Sequence, residues 1–129
     1  MMTLNSNENL WRETVAETAG YPGLEGNHQA DLAIIGGGFT GCAAALAAAR
    51  RGAQVILLEG QTIGQGGSGR NVGLVNAGLW LKPEQIEAAL GKMPAARLNG
   101  ALGRAPEQVF SLIEAHQIQC EAVCNGTLH

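Results

Sequence analysis

A chain of 129 residues with a net charge of −3 and only 15% charged residues is sized for one small domain. It carries no polybasic field, which excludes electrostatically driven binding to nucleic acid or to an anionic membrane and leaves small molecules as the expected partners. No cationic segment followed by an apolar run opens the sequence, so the expectation is a cytoplasmic chain whose three cysteines are thiols rather than a disulfide framework.

Residues 1–30 are polar and irregular in pattern, and read as an N-terminal arm ahead of a domain spanning 31–129. Within the arm Trp11 is expected to cover an apolar patch, the usual fate of an isolated indole beside a domain. From Asp31 the pattern changes. Leu32, Ile34 and Ile35 form an apolar run that reads as a buried strand, Thr40 to Arg51 reads as a helix ending at Gly52, and Gln54 to Leu58 reads as a second strand ending on Glu59. The helix is nearly all alanine with Cys42 and Leu46 among the small residues, which permits close packing on a sheet. Arg51 at its end is expected to complement the helix dipole and face solvent. The stretch from Asp31 to Arg50 has no charge between its ends and resembles a membrane span in hydropathy. Four glycines interrupt it, however, and neither half is long enough to cross a bilayer as one helix.

Between the first strand and the helix lies Gly36-Gly-Gly38-Phe-Thr-Gly41, a match to G-x-G-x-x-G. Gly36 permits the tight turn out of the strand, Gly38 lets the backbone approach a pyrophosphate, and Gly41 lets the helix pack closely. In a chain with 19 glycines chance supplies about 0.4 such matches, so the glycines alone prove little and the strand–turn–helix context carries the assignment. A second match, Gly64-Gln-Gly66-Gly-Ser-Gly69, lacks that context, because it follows no strand directly and precedes a poor helix start. The first match, the helix, the second strand and Glu59 together make a Rossmann-type dinucleotide-binding βαβ unit. Phosphates would meet the helix N-terminus, and Glu59 would accept hydrogen bonds from the two ribose hydroxyls. A carboxylate there repels the 2′-phosphate of NADP, so FAD or NAD is favoured.

The segment Gly64 to Gly78 is dense in glycine and asparagine and follows the second strand's carboxyl end, where ligands of open α/β sheets bind. Ser68, Arg70 and Asn71 offer a hydroxyl, a guanidinium and an amide toward a pyrophosphate, although Gly66, Gly67, Gly69 and Gly73 equally suit an ordinary surface loop. Beyond Trp80 the pattern turns helical. Pro83 suits a first helical position ahead of Ile86, Ala89 and Leu90. Leu98, Ala101, Leu102, Ala105, Val109, Leu112, Ile113 and His116 form a second helical stripe, which Pro106 either breaks or restarts. His116 reads as a helix-terminal residue rather than a catalytic base. Cys120 and Cys124 have no second pair to make a zinc site, so no metal is expected. Glu121 to His129 reads as the opening of another strand. Two strong strands and one or two weak ones make an incomplete parallel sheet, and the expectation is a fragment whose edges are completed elsewhere. No acid–base pair or nucleophile constellation stands out, so no catalytic residue is assigned.

With these residues together, the chain resembles the N-terminal part of the D-amino-acid oxidase superfamily of FAD-dependent oxidoreductases, especially the bacterial branch acting on amines and amino acids. The resemblance runs from Asp31 to His129 and rests on Ile34-Ile-Gly-Gly-Gly-Phe-Thr-Gly41, Leu57-Leu-Glu59, Gly66-Gly-Ser-Gly-Arg-Asn-Val-Gly73 and the closing Gly126-Thr-Leu-His129. It implies that Gly36, Gly38, Phe39, Thr40 and Gly41 meet the FAD pyrophosphate, that Glu59 holds the adenosine ribose, and that Ser68, Gly69, Arg70, Asn71, Gly73 and Leu74 lie on the pyrophosphate and flavin side. It further implies oxidation of an amine or amino acid to an imine by hydride transfer to the flavin. Family members are much longer and carry a substrate domain that this sequence does not contain. Two alternatives are a catalytically inert nucleotide-binding subunit or relic that needs a partner chain to complete the sheet, and a piece of an NAD-dependent dehydrogenase.

Overall fold

The computed structural model describes residues 10–15 and 20–126. In chain order the elements are helix α1 (Leu10–Thr14), strand β1 (Leu32–Ile35), helix α2 (Phe39–Ala49), strand β2 (Val55–Leu58), a 3₁₀ turn (Gly67–Arg70), helix α3 (Pro83–Leu90) and helix α4 (Lys92–Ala115). The chain divides into two compact units, residues 1–72 and 73–129.

The first unit is a parallel βαβ arrangement. β1 and β2 pair with Leu32 opposite Val55 and Ile35 opposite Leu58, and α2 packs on both strands. Asp31 fixes the start of the register, since its carboxylate accepts the Gln54 N–H at 2.8 Å while its own N–H donates to Gln54 O at 2.9 Å. The pairing continues past β1 through Gly36 N–H to Leu58 O at 2.7 Å. The expected strands and connecting helix are present, with α2 ending at Ala49, but β1 is not the buried strand expected from the sequence: within it Ile34 alone is partly covered, and Leu32, Ala33 and Ile35 are exposed. Arg51 donates from Nη1 to Ala47 O at 2.9 Å, placing a cation on the last-turn carbonyls as the dipole favours. Among the described residues the sheet has two strands only, and Ile35 is 89% exposed.

The arm is not irregular throughout. α1 forms within it, Thr14 Oγ1 donates to Trp11 O at 3.2 Å, and α1 packs on the 3₁₀ turn. Trp11 remains 41% exposed, and its indole serves as a hydrogen-bond donor, described below.

The second unit is a helical pair. Pro83 occupies the first turn of α3, where its missing N–H costs nothing, and Gln85 Oε1 accepts the Lys82 N–H at 3.0 Å. Gly91 separates α3 from α4 with φ of 80°, a conformation that glycine adopts without penalty. Ile86 of α3 (4% exposed) and Ala95 of α4 (1% exposed) are the buried hydrophobic side chains among the described residues. α4 runs unbroken through Pro106, so this proline neither ends nor starts a helix. The apolar stripe keeps its register across it, with Leu102, Ala105, Leu112 and Ile113 all partly buried. His116 terminates α4 and its backbone N–H bonds back to Leu112 O at 3.1 Å.

The expected strand from Glu121 is absent over 121–126. Glu121 and Gln117 both have φ of 51° and Gly126 has φ of 73°, left-handed values incompatible with an extended strand. Thr127, Leu128 and His129 of that expectation lie outside the described residues. No described helix is long and apolar enough to cross a membrane.

Candidate functional site

The site is built where β1, α2 and β2 converge. Gly36 leaves β1 with φ of 102°, a region closed to most side chains. Gly41 sits where α2 crosses the turn, and a Cβ there would lie 1.9 Å from Gly36 O and 3.4 Å from Ile34 Cγ2. Close helix packing is therefore a backbone requirement, as the sequence motif implies. Gly38 approaches the second glycine segment, since a Cβ on it would lie 2.8 Å from Ser68 Oγ.

Gly37, the residue between the motif positions, is the one that sequence reasoning passed over. It is buried, and a Cβ on it would come within 2.3 Å of Ile63 Cδ1 and 3.3 Å of Glu59 Cβ. Its N–H donates to Glu59 Oε2 at 2.7 Å, and its carbonyl accepts the Gly64 N–H at 2.9 Å. The motif marks this position as free, and only the packing of Ile63 and Glu59 against it reveals the constraint.

Glu59 joins the two ends of the unit. Besides the Gly37 N–H, its Oε1 accepts the Gln61 N–H at 3.0 Å. These bonds, that of Gly37 foremost, hold its pKa below the ordinary glutamate value against the opposing effect of desolvation. The group is therefore anionic at neutral pH. A carboxylate offers about four acceptor positions, so those left over remain for external hydroxyls.

The second glycine segment is brought to the first. The Phe39 N–H, at the start of α2, donates to Ser68 Oγ at 2.9 Å, which serves a helix whose own N-cap residue, Gly38, has no side chain to cap it. Gly67–Arg70 form a 3₁₀ turn, closed by Gly69 N–H to Gly66 O at 3.2 Å, and Asn71 Nδ2 donates to Ser68 O. The Trp11 indole N–H donates to Asn71 O at 2.7 Å. Gly36, Gly38, Phe39, Thr40, Gly41, Glu59, Ser68, Gly69, Arg70 and Asn71 thus all belong to the first unit, whereas Gly73 and Leu74 belong to the second. Phe39, Thr40 and Arg70 are exposed.

A cleft of about 790 Å³ in the first unit is bounded by Tyr21 and Leu24 of the arm, Leu46 of α2, Leu57 of β2, Ile63 and Glu59, within the size range of small-molecule sites. Of the residues expected to hold a cofactor, Glu59 lines it and the Gly36–Gly41 turn and Ser68 do not. No group of three or more potential metal ligands occurs among the described residues, and Cys42, Cys120 and Cys124 are free thiols.

The family model described as FAD dependent oxidoreductase matches residues 31–129. The chain belongs to the FAD-dependent oxidoreductase family. It is 38% identical over 112 residues to a probable oxidoreductase OrdL of Rhizobium meliloti, covering 86% of this chain and 26% of that protein. It is 34% identical over 91 residues to gamma-glutamylputrescine oxidoreductase of Escherichia coli, covering 70% of this chain and 21% of that protein. It is 51% identical over 61 residues to an aerobic glycerol-3-phosphate dehydrogenase of Staphylococcus aureus, covering 46% of this chain and 11% of that protein. The chain thus spans about a quarter or less of the length of these relatives. No solved structure matches it.

The cofactor of this family fits the residues present. An anionic Glu59 with spare acceptor positions suits a ribose diol, and the Gly38 approach to Ser68 leaves room that any side chain would fill. An α/β fold with two parallel strands and a connecting helix agrees with a Rossmann-type FAD-binding unit of the family.

Proposed function

We propose that this chain is the N-terminal, FAD-binding portion of an enzyme that oxidises an amine or amino acid to an imine. The observation that carries this reading is the pair of glycine segments tied to each other by Phe39 N–H to Ser68 Oγ and Gly64 N–H to Gly37 O, with Glu59 anchored beside them. The relatives differ in the substrates their names state. That difference supports assigning the shared segment to the cofactor, and the coverage of gamma-glutamylputrescine oxidoreductase favours an amine.

In this reading Gly36, Gly38, Phe39, Thr40 and Gly41 present backbone N–H groups and the positive end of α2 to the pyrophosphate. Glu59 accepts from the ribose hydroxyls and disfavours a 2′-phosphate. Ser68, Gly69, Arg70 and Asn71, all in the first unit, follow the pyrophosphate toward the flavin, with Arg70 supplying a guanidinium suited to phosphate. When bound, FAD supplies the acceptor for a hydride from the carbon bearing the amine, and water then hydrolyses the imine. This chain's residues bind and orient, and none is assigned to substrate. A cytoplasmic location accompanies the reading, in keeping with three free thiols.

Equilibrium titration with FAD tests it. Wild type is expected to bind FAD in preference to NAD, and Gly38→Val and Glu59→Ala are expected to lose most of that binding. Retention of wild-type flavin content by both variants would overturn the site assignment.

The exposure of Ile35 and the two-stranded sheet favour a second reading, a catalytically inert nucleotide-binding subunit whose sheet is completed by a partner chain. Co-purification of a second polypeptide with this chain would support it, and a monomer that oxidises an amine would sink it.

A further inference from the structure

The first unit contains a hydrogen-bonded path that the cofactor motifs do not account for. It starts at Trp11 in α1, whose indole N–H donates to Asn71 O at 2.7 Å across 60 residues of sequence. Asn71 returns through Nδ2 to Ser68 O, and Ser68 Oγ accepts the Phe39 N–H at 2.9 Å. Indole nitrogen is a donor only, so this bond specifies where the Asn71 carbonyl must stand. α1 packs on the same 3₁₀ turn, so the indole holds Gly67–Arg70 from one side while α2 meets Ser68 on the other. A segment as rich in glycine as 64–73 loses much conformational freedom on ordering, and a tie at its far end reduces what remains to be lost when a ligand binds.

We propose that Trp11 is a positioning residue for the cofactor: it fixes the 3₁₀ turn that carries Ser68 to the first amide of α2, and so preorganises the second glycine segment for the FAD pyrophosphate. The proposal rests on the assignment of both glycine segments to FAD. It gives the N-terminal arm a role in cofactor affinity, although Trp11 itself need touch no part of the ligand.

The test uses the 129-residue chain and Trp11→Phe, which keeps an aromatic ring on the turn and removes the donor. Without cofactor, trypsin cleavage after Arg70, followed by mass spectrometry, is expected to quicken several-fold in Trp11→Phe, because cleavage reports how often the turn opens. With cofactor, fluorescence titration of FAD is expected to give a Kd raised roughly three- to tenfold, the range for losing one partly exposed hydrogen bond. The deciding readout is a double-mutant cycle with Ser68→Ala. If Trp11 acts through Ser68, Trp11→Phe adds little to the Kd of Ser68→Ala, whereas a merely structural tryptophan gives multiplicative losses. Multiplicative losses, or an unchanged Kd and cleavage rate in Trp11→Phe beside a wild type that binds FAD, overturn the proposal alone. A wild type that takes up no FAD overturns the assignment of the glycine segments and the proposal with it.

Discussion

The two units hold themselves together by different means. In residues 73–129 the contact between helices buries Ile86 and Ala95, an apolar arrangement that tolerates substitution by residues of similar volume. In the first unit none of the described hydrophobic side chains is fully buried. Its order comes from backbone approach and polar ties instead: Gly41 against Gly36 O, Gly37 against Ile63, Glu59 to the Gly37 N–H, and Ser68 to the Phe39 N–H. Hydrogen bonds and close approaches are directional where apolar burial is not. The unit that must present amides to a ligand is therefore specified by geometry, and the helical pair by volume.

The strongest way to break this contrast is Gly41→Ala. Its Cβ would stand 1.9 Å from a backbone oxygen, which no rotamer change relieves. We expect a loss of about 3 kcal/mol or more from the stability of the first unit and no FAD uptake, as measured by urea denaturation and flavin titration. An unchanged midpoint would show that α2 does not need its observed approach to the turn. Ile86→Ala comes next, at about 2–4 kcal/mol for a large-to-small change at a buried site. Hydrogen exchange should quicken in α3 and α4 while the amides of Gly36–Gly41 keep their rates. Equal quickening in both units would remove the distinction drawn here.

Ser68→Ala is smaller and sharper. It removes the acceptor of the Phe39 N–H and is expected to cost about 1 kcal/mol, or roughly a fivefold rise in FAD Kd, with Ser68→Thr close to wild type. If FAD Kd is instead unchanged, the hydroxyl plays no part in the site. The smallest effect concerns pH. Glu59 has a folded-state pKa below its unfolded value, so its contribution is complete above the ordinary glutamate value of about 4.3, and is lost as pH falls through the folded value. FAD affinity should be flat across neutral pH and fall only in acid, and Glu59→Gln should remove that acid limb.

Much of this was legible in order along the chain. Apolar runs announced β1 and β2, glycines marked the turn, Pro83 and the stripe from Leu98 announced α3 and α4, and Glu59 was legible as the acid ending a strand. The failures share a cause. Pro106 suggested a boundary by local propensity, which the continuing stripe overrode. The expected strand at Glu121 met left-handed backbone that no composition signal announced. The donor role of Trp11 depended on a partner 60 residues away.

By itself, then, the sequence determined the parallel βαβ unit and its family, because apolar strand runs, helix propensity and the need for bare backbone at Gly36 and Gly41 are local properties that survive without a fold. Tertiary structure alone decided that Gly37 admits no side chain, that Ser68 lies 2.9 Å from the first amide of α2, and that Trp11 secures the turn behind it. Those facts join residues 22 to 60 positions apart, and separations of that size become distances only when the chain has folded.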